Sequence, residues 1–89
     1  MKVILTLHAK EKLLTAEAKI LGITRKKITD TLRKPLVKNK NMNPHQSVGE
    51  LNSDLSLAVI WKQESGIIKV ITFYPAEKGR YESKILRRR

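Results

Sequence analysis

Two periods of hydrophobic and polar positions divide the chain. In the first third, Leu14, Ala18 and Leu21 follow the i, i+4, i+7 spacing of one helical face. The pattern predicts a short edge strand over residues 3–5 and then one helix that runs to about Leu21. Gly22 follows at the position where a left-handed residue commonly ends a helix.

A second helix is predicted between Thr24 and Lys34. Thr24 is a favourable N-cap, and Ile28 and Leu32 form the apolar face. The helix must stop near Lys34 because Pro35 disfavours helical backbone in the residue before it. The other faces of this helix carry a set of cations: Arg25, Lys26, Lys27, Arg33 and Lys34.

After Pro35 the period changes to that of strands. Over residues 55–62 large apolar residues occupy every second position, which predicts a half-buried strand: Leu55, Leu57, Val59 and Trp61 alternate with Ser56, Ala58, Ile60 and Lys62. A hairpin at residues 64–66 leads into the next strand. That strand, residues 67–74, is apolar at nearly every position, which predicts burial on both faces. Further predicted elements are short strands at 36–37 and 46–51, a turn at 75–79 and an amphipathic strand at 80–86.

This order of elements predicts an α+β fold. Two N-terminal helices pack on one face of a three- to five-stranded antiparallel sheet, and the other face stays open to solvent or a ligand. With 89 residues, of which 40% are hydrophobic, the chain suffices for a single domain over residues 1–89, ending in a short basic tail.

The charge is strongly positive and unevenly distributed. Nineteen Lys and Arg against eight Asp and Glu give a formal charge of +11. Residues 1–41 carry a net +8, residues 42–77 a net −2 and residues 78–89 a net +5. Basic ends around an acidic middle favour a polyanion partner, RNA or the ribosome, through electrostatic steering and counterion release.

Several classes of function are disfavoured by composition. Without cysteine the chain has no disulfide, zinc finger or thiol nucleophile, and two histidines without a carboxylate cluster predict no metal site. No glycine-rich phosphate loop is present, and no cofactor is predicted. The N-terminal apolar run is too short for a signal peptide or a membrane span, so we expect a cytoplasmic protein without a membrane partner.

His8 is the most informative candidate for acid–base chemistry. It lies where the first strand gives way to the first helix, and imidazole titrates near neutrality. Lys12 follows four residues later on the same helical face, where a cation would lower the pKa of His8 and hold a phosphate beside it. Local packing or capping is the alternative role for His8.

A second candidate cluster lies near the C-terminus. In the predicted last strand, Arg80 and Lys84 share one face and Tyr81 lies on the other, although the register is open and Tyr81 can instead face a ligand. A solvated edge strand is the alternative. The residues predicted to contact nucleic acid are Lys12, Arg25, Lys26, Lys27, Lys62, Arg87 and Arg88.

Short motifs along the chain resemble those of a bacterial and archaeal family of unknown function. The motifs are the His-Ala-x-x-basic start within residues 6–12, Gly-Ile-Thr at 22–24, Pro35, and the Val-Ile-Thr-Phe-Tyr-Pro segment at 70–75. This family looks like a relative of the RelE, ParE and BrnT toxins. Where the family usually has arginine this chain has Lys12, which keeps the charge but loses the bidentate fork.

The resemblance implies a RelE-like fold and metal-independent cleavage of RNA. In that chemistry the 2′-OH attacks the adjacent phosphate, so a base, an acid and phosphate-stabilising cations suffice. His8 is then the acid or base, Arg80 and Lys84 stabilise the phosphorane, and Tyr81 orients or stacks a base. An acidic antitoxin protein is the partner that the resemblance implies.

Two alternatives need no catalysis. A non-catalytic module could bind RNA or the ribosome through the same basic residues, with salt-sensitive affinity and no cleavage. An interaction domain could instead accept a peptide at a sheet edge or in a helix groove.

Overall fold

The computed structural model describes residues 2–39 and 43–77, which form three helices and a five-stranded sheet. The architecture is α+β, as the sequence predicts, but it has three helices rather than two. The sheet order is β1-β5-β4-β3-β2. In chain order the elements are β1 (Lys2–Leu5), α1 (Leu7–Leu13), α2 (Ala16–Leu21), α3 (Arg25–Arg33), β2 (Val37–Asn39), β3 (His45–Glu50), β4 (Leu55–Glu64) and β5 (Ile67–Glu77).

The sheet is mixed, so the prediction of a purely antiparallel sheet is wrong at one edge. β1 pairs in parallel with β5, with Leu5 opposite Val70, while the other three strand pairs are antiparallel. The sequence of β1 predicts an edge strand, but not whether that strand runs parallel or antiparallel to its neighbour. The pair is parallel because the chain returns to the end of the sheet at which β1 begins, and β5 starts from that end.

The predicted first helix is two helices, because Thr15 interrupts it. The Thr15 hydroxyl donates to the Lys12 carbonyl oxygen at 2.7 Å and accepts from the Ala18 amide at 3.2 Å, which makes it the N-cap of α2. The break rotates the two halves relative to each other. Leu14 is therefore 73% exposed instead of lying on the core face with Ala18.

α3 follows the prediction closely. Thr24 caps its N-terminus, Ile28 is fully buried and Lys34 is the C-cap. The helix approaches β3 closely because Gly49 has no side chain: a Cβ there would lie 3.0 Å from Thr31 Oγ1. Gly49 thus allows the contact that fixes α3 on the sheet.

The core lies between the helices and one face of the sheet, which we call the helix face. The helices contribute Ala9, Ala18 and Ile28 to the core cluster. Alternate residues of the strands complete it, as the period-two pattern of β4 predicts: Leu5, Leu57, Val59, Trp61, Ile68, Val70 and Phe73.

β5 continues to Glu77, so the predicted turn at residues 75–79 is wrong over the part that the structure describes. Pro75 is tolerated in this strand because of its orientation. The Phe73 carbonyl faces the edge of β5 that β1 leaves free, and alternate residues of a strand face the same side. The N–H that Pro75 lacks would therefore have faced that free edge, and no ladder bond is lost.

The opposite face of the sheet, which we call the outer face, is not open along its whole length as predicted. At one end of β4 and β3, Ser56, Ala58 and Val48 are buried. At the hairpin between β4 and β5, Lys62 is exposed and Lys69 is half-exposed. The outer face therefore has a buried end and a charged end.

Candidate nucleic-acid interface

His8 and Lys12 lie on α1, but their side chains have different environments. His8 is exposed on the first turn of the helix. The Lys12 ammonium donates to the Phe73 carbonyl oxygen and to Thr72 Oγ1 (3.3 Å), and it lies 5.3 Å from the centroid of the Phe73 ring. Lys12 therefore binds the protein's own backbone, at a position predicted to hold a phosphate.

The contacts of Lys12 have a structural cause at the edge of the sheet. β1 ends at Leu5, and beyond it no strand among residues 2–39 and 43–77 pairs with the carbonyl groups of β5 on that side. Thr6 Oγ1 donates to the Ile71 carbonyl oxygen at 3.1 Å, and Lys12 Nζ donates to the Phe73 carbonyl oxygen, two residues further along β5. The Lys12 side chain thus provides a hydrogen-bond donor to β5 beyond the point where β1 ends.

Lys62 lies on the other side of the sheet from α1. It projects from the outer face at the β4–β5 hairpin, where its ammonium is 3.5 Å from Glu64 Oε1. Lys69, its cross-strand neighbour, is 3.0 Å from the same oxygen. A hydrogen bond from Lys69 and the positive charge of Lys62 hold the pKa of Glu64 below its ordinary value. The structure therefore does not bring Lys62 to His8.

The five cations of residues 25–34 lie together on α3 and its C-cap, and all are exposed. We call them the α3 cations. Three have partners: Arg25 donates to the Val3 carbonyl oxygen at 3.3 Å, Lys27 to the Leu51 carbonyl oxygen at 3.4 Å, and Lys26 lies 3.4 Å from Asp30. Within the described residues only Lys26 meets a carboxylate, so most of this charge is not neutralised.

A groove runs along one side of α3, between the helix and the strand β3. It has a volume of about 500 Å³. Cations lie at both ends, since Lys27 is in the first turn and Arg33 and Lys34 are at the C-terminus of the helix. Acidic groups are present too, and the residues that line the groove are Lys27, Asp30, Thr31, Arg33, Lys34, Leu36, Gly49 and Glu50.

The sequence places Arg33 and Lys34 on the second helix but does not single them out as nucleic-acid contacts. In the structure both line the groove beside α3. The signal was available, because both follow the apolar residue Leu32 at the end of an amphipathic helix. What the pattern did not contain is the groove, which exists only because α3 packs over β3 at Gly49.

A second unpredicted cluster surrounds Trp61 on the helix face. Its indole N–H donates to Ser47 Oγ at 2.9 Å, its ring centroid is 4.6 Å from that of His45, and Lys38 Nζ lies 5.7 Å from the same ring. His45 is three strands from Leu5 along one cross-strand row, about 14 Å at standard strand spacing. His45 therefore contacts the Trp61 ring, with the two planes tilted by 46°, at a place far across the sheet from the start of α1.

The remaining predicted site residues fall outside the described ranges. They are Arg80, Tyr81, Lys84, Arg87 and Arg88. Across residues 2–39 and 43–77, no group of three or more histidine or acidic side chains is arranged to hold a metal ion. In the same part of the chain, no helix is both long enough and apolar enough to span a bilayer.

Comparisons with known proteins add no relative. No protein-family model, no curated protein and no solved structure matches this chain. The site is therefore interpreted from its own geometry.

Proposed function

We propose that the protein binds RNA through the α3 cations. The observation that carries the proposal is their number and placement: five exposed Lys and Arg side chains within ten residues, with Asp30 as the only acid among them. A helix surface of this kind attracts a phosphate backbone over a distance of about one Debye length, roughly 10 Å at 0.1 M salt.

The contacts of the α3 cations support this proposal. The Arg25 and Lys27 side chains donate to neutral backbone carbonyl groups, which orient the cations but do not cancel their charge. Release of counterions from the phosphate backbone then supplies the binding free energy. Such binding is driven by phosphate contacts and carries little sequence specificity.

The salt dependence of binding tests the proposal directly. With a fluorescent RNA of about 20 nucleotides, log K should fall linearly with log salt, with a slope of about −0.7 per phosphate contacted. Replacing Arg33 and Lys34 by Gln should weaken binding and reduce the magnitude of this slope. The matched control replaces Lys62 and Lys69 by Gln, which removes the same charge from the outer face. An equal loss in both variants would refute the assignment to α3.

Metal-independent RNA cleavage is the second candidate. It is favoured by His8, which is exposed on α1 one helical turn before Lys12. In this proposal the RelE-like resemblance applies: the 2′-oxygen bonds to phosphorus as the bond from phosphorus to the 5′-oxygen breaks. His8 either removes the 2′ proton or protonates the leaving 5′-oxygen, and solvent water carries out the other proton transfer. Arg80 and Lys84 stabilise the phosphorane, and a ribosome-bound RNA and an acidic antitoxin are the partners.

Cleavage is tested separately from binding. RNA incubated with the protein in EDTA should yield 2′,3′-cyclic phosphate ends, and His8→Gln should slow their formation by about 10²–10⁴-fold, the contribution typical of general acid–base catalysis. Binding by the α3 cations should be unchanged in that variant. Product formation that does not respond to His8→Gln would remove His8 from the mechanism.

A further inference from the structure

The groove beside α3 carries an order of charges that does not suit a row of phosphates alone. One face of the helix lines it, and that face contributes Lys27, Asp30, Thr31 and Lys34 with the spacing i, i+3, i+4, i+7. Arg33 adds a further cation beside Lys34. Along about 10 Å of helix, a cation is therefore followed by a carboxylate beside a hydroxyl and then by two more cations. Both ends of this row attract phosphate, and the carboxylate at its centre repels it.

An apolar side chain lines the β3 side of the same groove. Leu36 is 60% exposed, and its amide donates a hydrogen bond of 2.8 Å to the Val48 carbonyl oxygen. Gly49, the next residue of β3, lies against Thr31 and contributes no side chain to the lining. An exposed leucine is ordinary on a protein surface. This one lines a cleft between cations and a carboxylate, so an apolar surface of a ligand can pack against it.

Asp30 is able to accept a hydrogen bond from a ligand. Its Oδ2 atom is 3.4 Å from Lys26 Nζ, and the Lys26 side chain is 86% exposed. A surface ion pair of this kind contributes little free energy. A carboxylate also accepts through both of its oxygens. Asp30 can therefore keep Lys26 beside it and accept from a group in the groove.

We propose that the groove holds one unpaired nucleotide of a single-stranded RNA. The phosphates on either side of this nucleotide contact Lys27 at one end and Arg33 and Lys34 at the other. The base packs against Leu36, and Asp30 accepts a hydrogen bond from an exocyclic amino group of the base. The inference rests on RNA binding by the α3 cations and adds a base preference, which phosphate contacts alone do not supply.

The size and lining of the groove favour an unpaired base over other anionic ligands. Its volume of about 500 Å³ lies within the range of small-molecule sites, about 300–1,000 Å³. An RNA duplex keeps its bases stacked and paired, so it offers no free amino group to Asp30 and no base face to Leu36. An acidic peptide supplies anions too, but its ionised side chains only accept hydrogen bonds. Such a peptide is the competing ligand.

Two RNA oligonucleotides that differ in one functional group of each base test the base contact in the full chain. Cytosine carries an amino group where uracil carries a carbonyl oxygen, so labelled oligocytidine and oligouridine of about ten nucleotides have the same charge. We expect oligocytidine to bind about three- to tenfold more tightly, in line with one hydrogen bond. Asp30→Ala should abolish this preference without weakening oligouridine, because it also removes a negative charge. Glu11→Ala, at an exposed position of α1, removes the same charge and should keep the preference.

Leu36→Ser tests the apolar contact. This change should weaken the binding of oligocytidine about threefold or more, because less apolar surface is buried against the base. An RNA duplex of the same length should bind Leu36→Ser and the wild-type chain equally. Leu14→Ser, at another exposed leucine, should change neither affinity. If Leu36→Ser and Leu14→Ser affect oligocytidine equally, the base does not lie against Leu36 and the proposal is overturned.

The outcomes separate this inference from RNA binding itself. If replacing Arg33 and Lys34 by Gln weakens binding while oligocytidine, oligouridine and duplex bind the wild-type chain equally well, the α3 cations bind RNA but the nucleotide site is wrong. If that replacement changes no affinity, RNA binding by α3 is wrong as well. Displacement of oligocytidine by an oligoglutamate peptide at an equal or lower concentration would assign the groove to an acidic protein partner and overturn the proposal.

Discussion

The α3 cations and the cations of the β4–β5 hairpin lie on opposite sides of the sheet and differ in what surrounds them. At the hairpin, Lys62 and Lys69 share one carboxylate, Glu64. On α3, five cations share only Asp30 among the described residues. The number of lysines is therefore a poor guide to a polyanion site. Glu64 relieves the repulsion between the two hairpin lysines, whereas most of the charge of the α3 cations has no carboxylate partner among the described residues.

The largest expected effect comes from detaching α3 from the sheet. Ile28 is fully buried, so Ile28→Ala should lower the free energy of unfolding by about 2–5 kcal/mol, measured by urea denaturation. Thr29→Ala, on the more exposed side of the same helix, is the matched control and should cost less than about 1 kcal/mol. Equal losses would mean that α3 is not anchored by its apolar face.

Charge reversal should distinguish the α3 cations from the hairpin lysines most clearly by its effect on RNA affinity. Lys26→Glu with Arg33→Glu should weaken RNA binding by about 10- to 100-fold at 0.1 M salt, because two phosphate contacts become repulsive. Lys62→Glu with Lys69→Glu changes the formal charge equally and should weaken binding less than about threefold. Fluorescence anisotropy measures both. Comparable losses would show that only the total charge matters.

Lys12 should behave as a structural cation, unlike the α3 cations. Lys12→Met removes the donor to the Phe73 carbonyl oxygen and should lower the free energy of unfolding by about 1–2 kcal/mol. RNA affinity should not change. Lys10→Met, on the exposed side of α1, should leave stability within about 0.5 kcal/mol. If Lys12→Met lowers RNA affinity without lowering stability, Lys12 contacts RNA and is not a structural cation.

The smallest effect concerns Glu64. Lys69→Gln removes the hydrogen bond that lowers the pKa of Glu64, so that pKa should rise towards its ordinary value in a carboxyl NMR titration. Because the folded pKa is depressed, this ion pair stabilises the fold above the unfolded carboxyl pKa. That stabilisation is lost as the pH falls through the folded pKa. An unchanged titration would show that Lys62 alone sets the pKa.

The sequence predicts local elements well where one residue type controls them. Thr24 as a cap and Gly22 at φ 72° after α2 appear as expected. The alternation along β4 identifies the residues that join the core, but the strand is not half-buried throughout, because Ser56 and Ala58 are buried as well. The sequence fails where two local signals compete, since the apolar spacing through Leu14 favoured one helix while the Thr15 hydroxyl supports a new start. Side-chain hydrogen bonding to the backbone prevailed over periodicity there.

The candidate site was predicted only in part, for a different reason. Residue type and spacing identified the cations of α3, but not what each cation contacts. Lys12 and Lys62 have the same charge as the α3 cations, so the sequence predicts the same role for them. Their contacts with the Phe73 carbonyl oxygen and with Glu64 depend on strand pairing between distant segments, which a pattern along the chain does not contain.

The sequence by itself determined the α+β class, the caps and apolar face of α3, the hairpin strands and the excess of positive charge. These depend on neighbours within a few residues, where propensity and periodicity act. Tertiary structure alone decided that β1 runs parallel to β5, that α3 packs over Gly49 to form a basic groove, and that one end of the outer face is buried. These depend on contacts between residues far apart in the chain, whose geometry is fixed only when the sheet assembles.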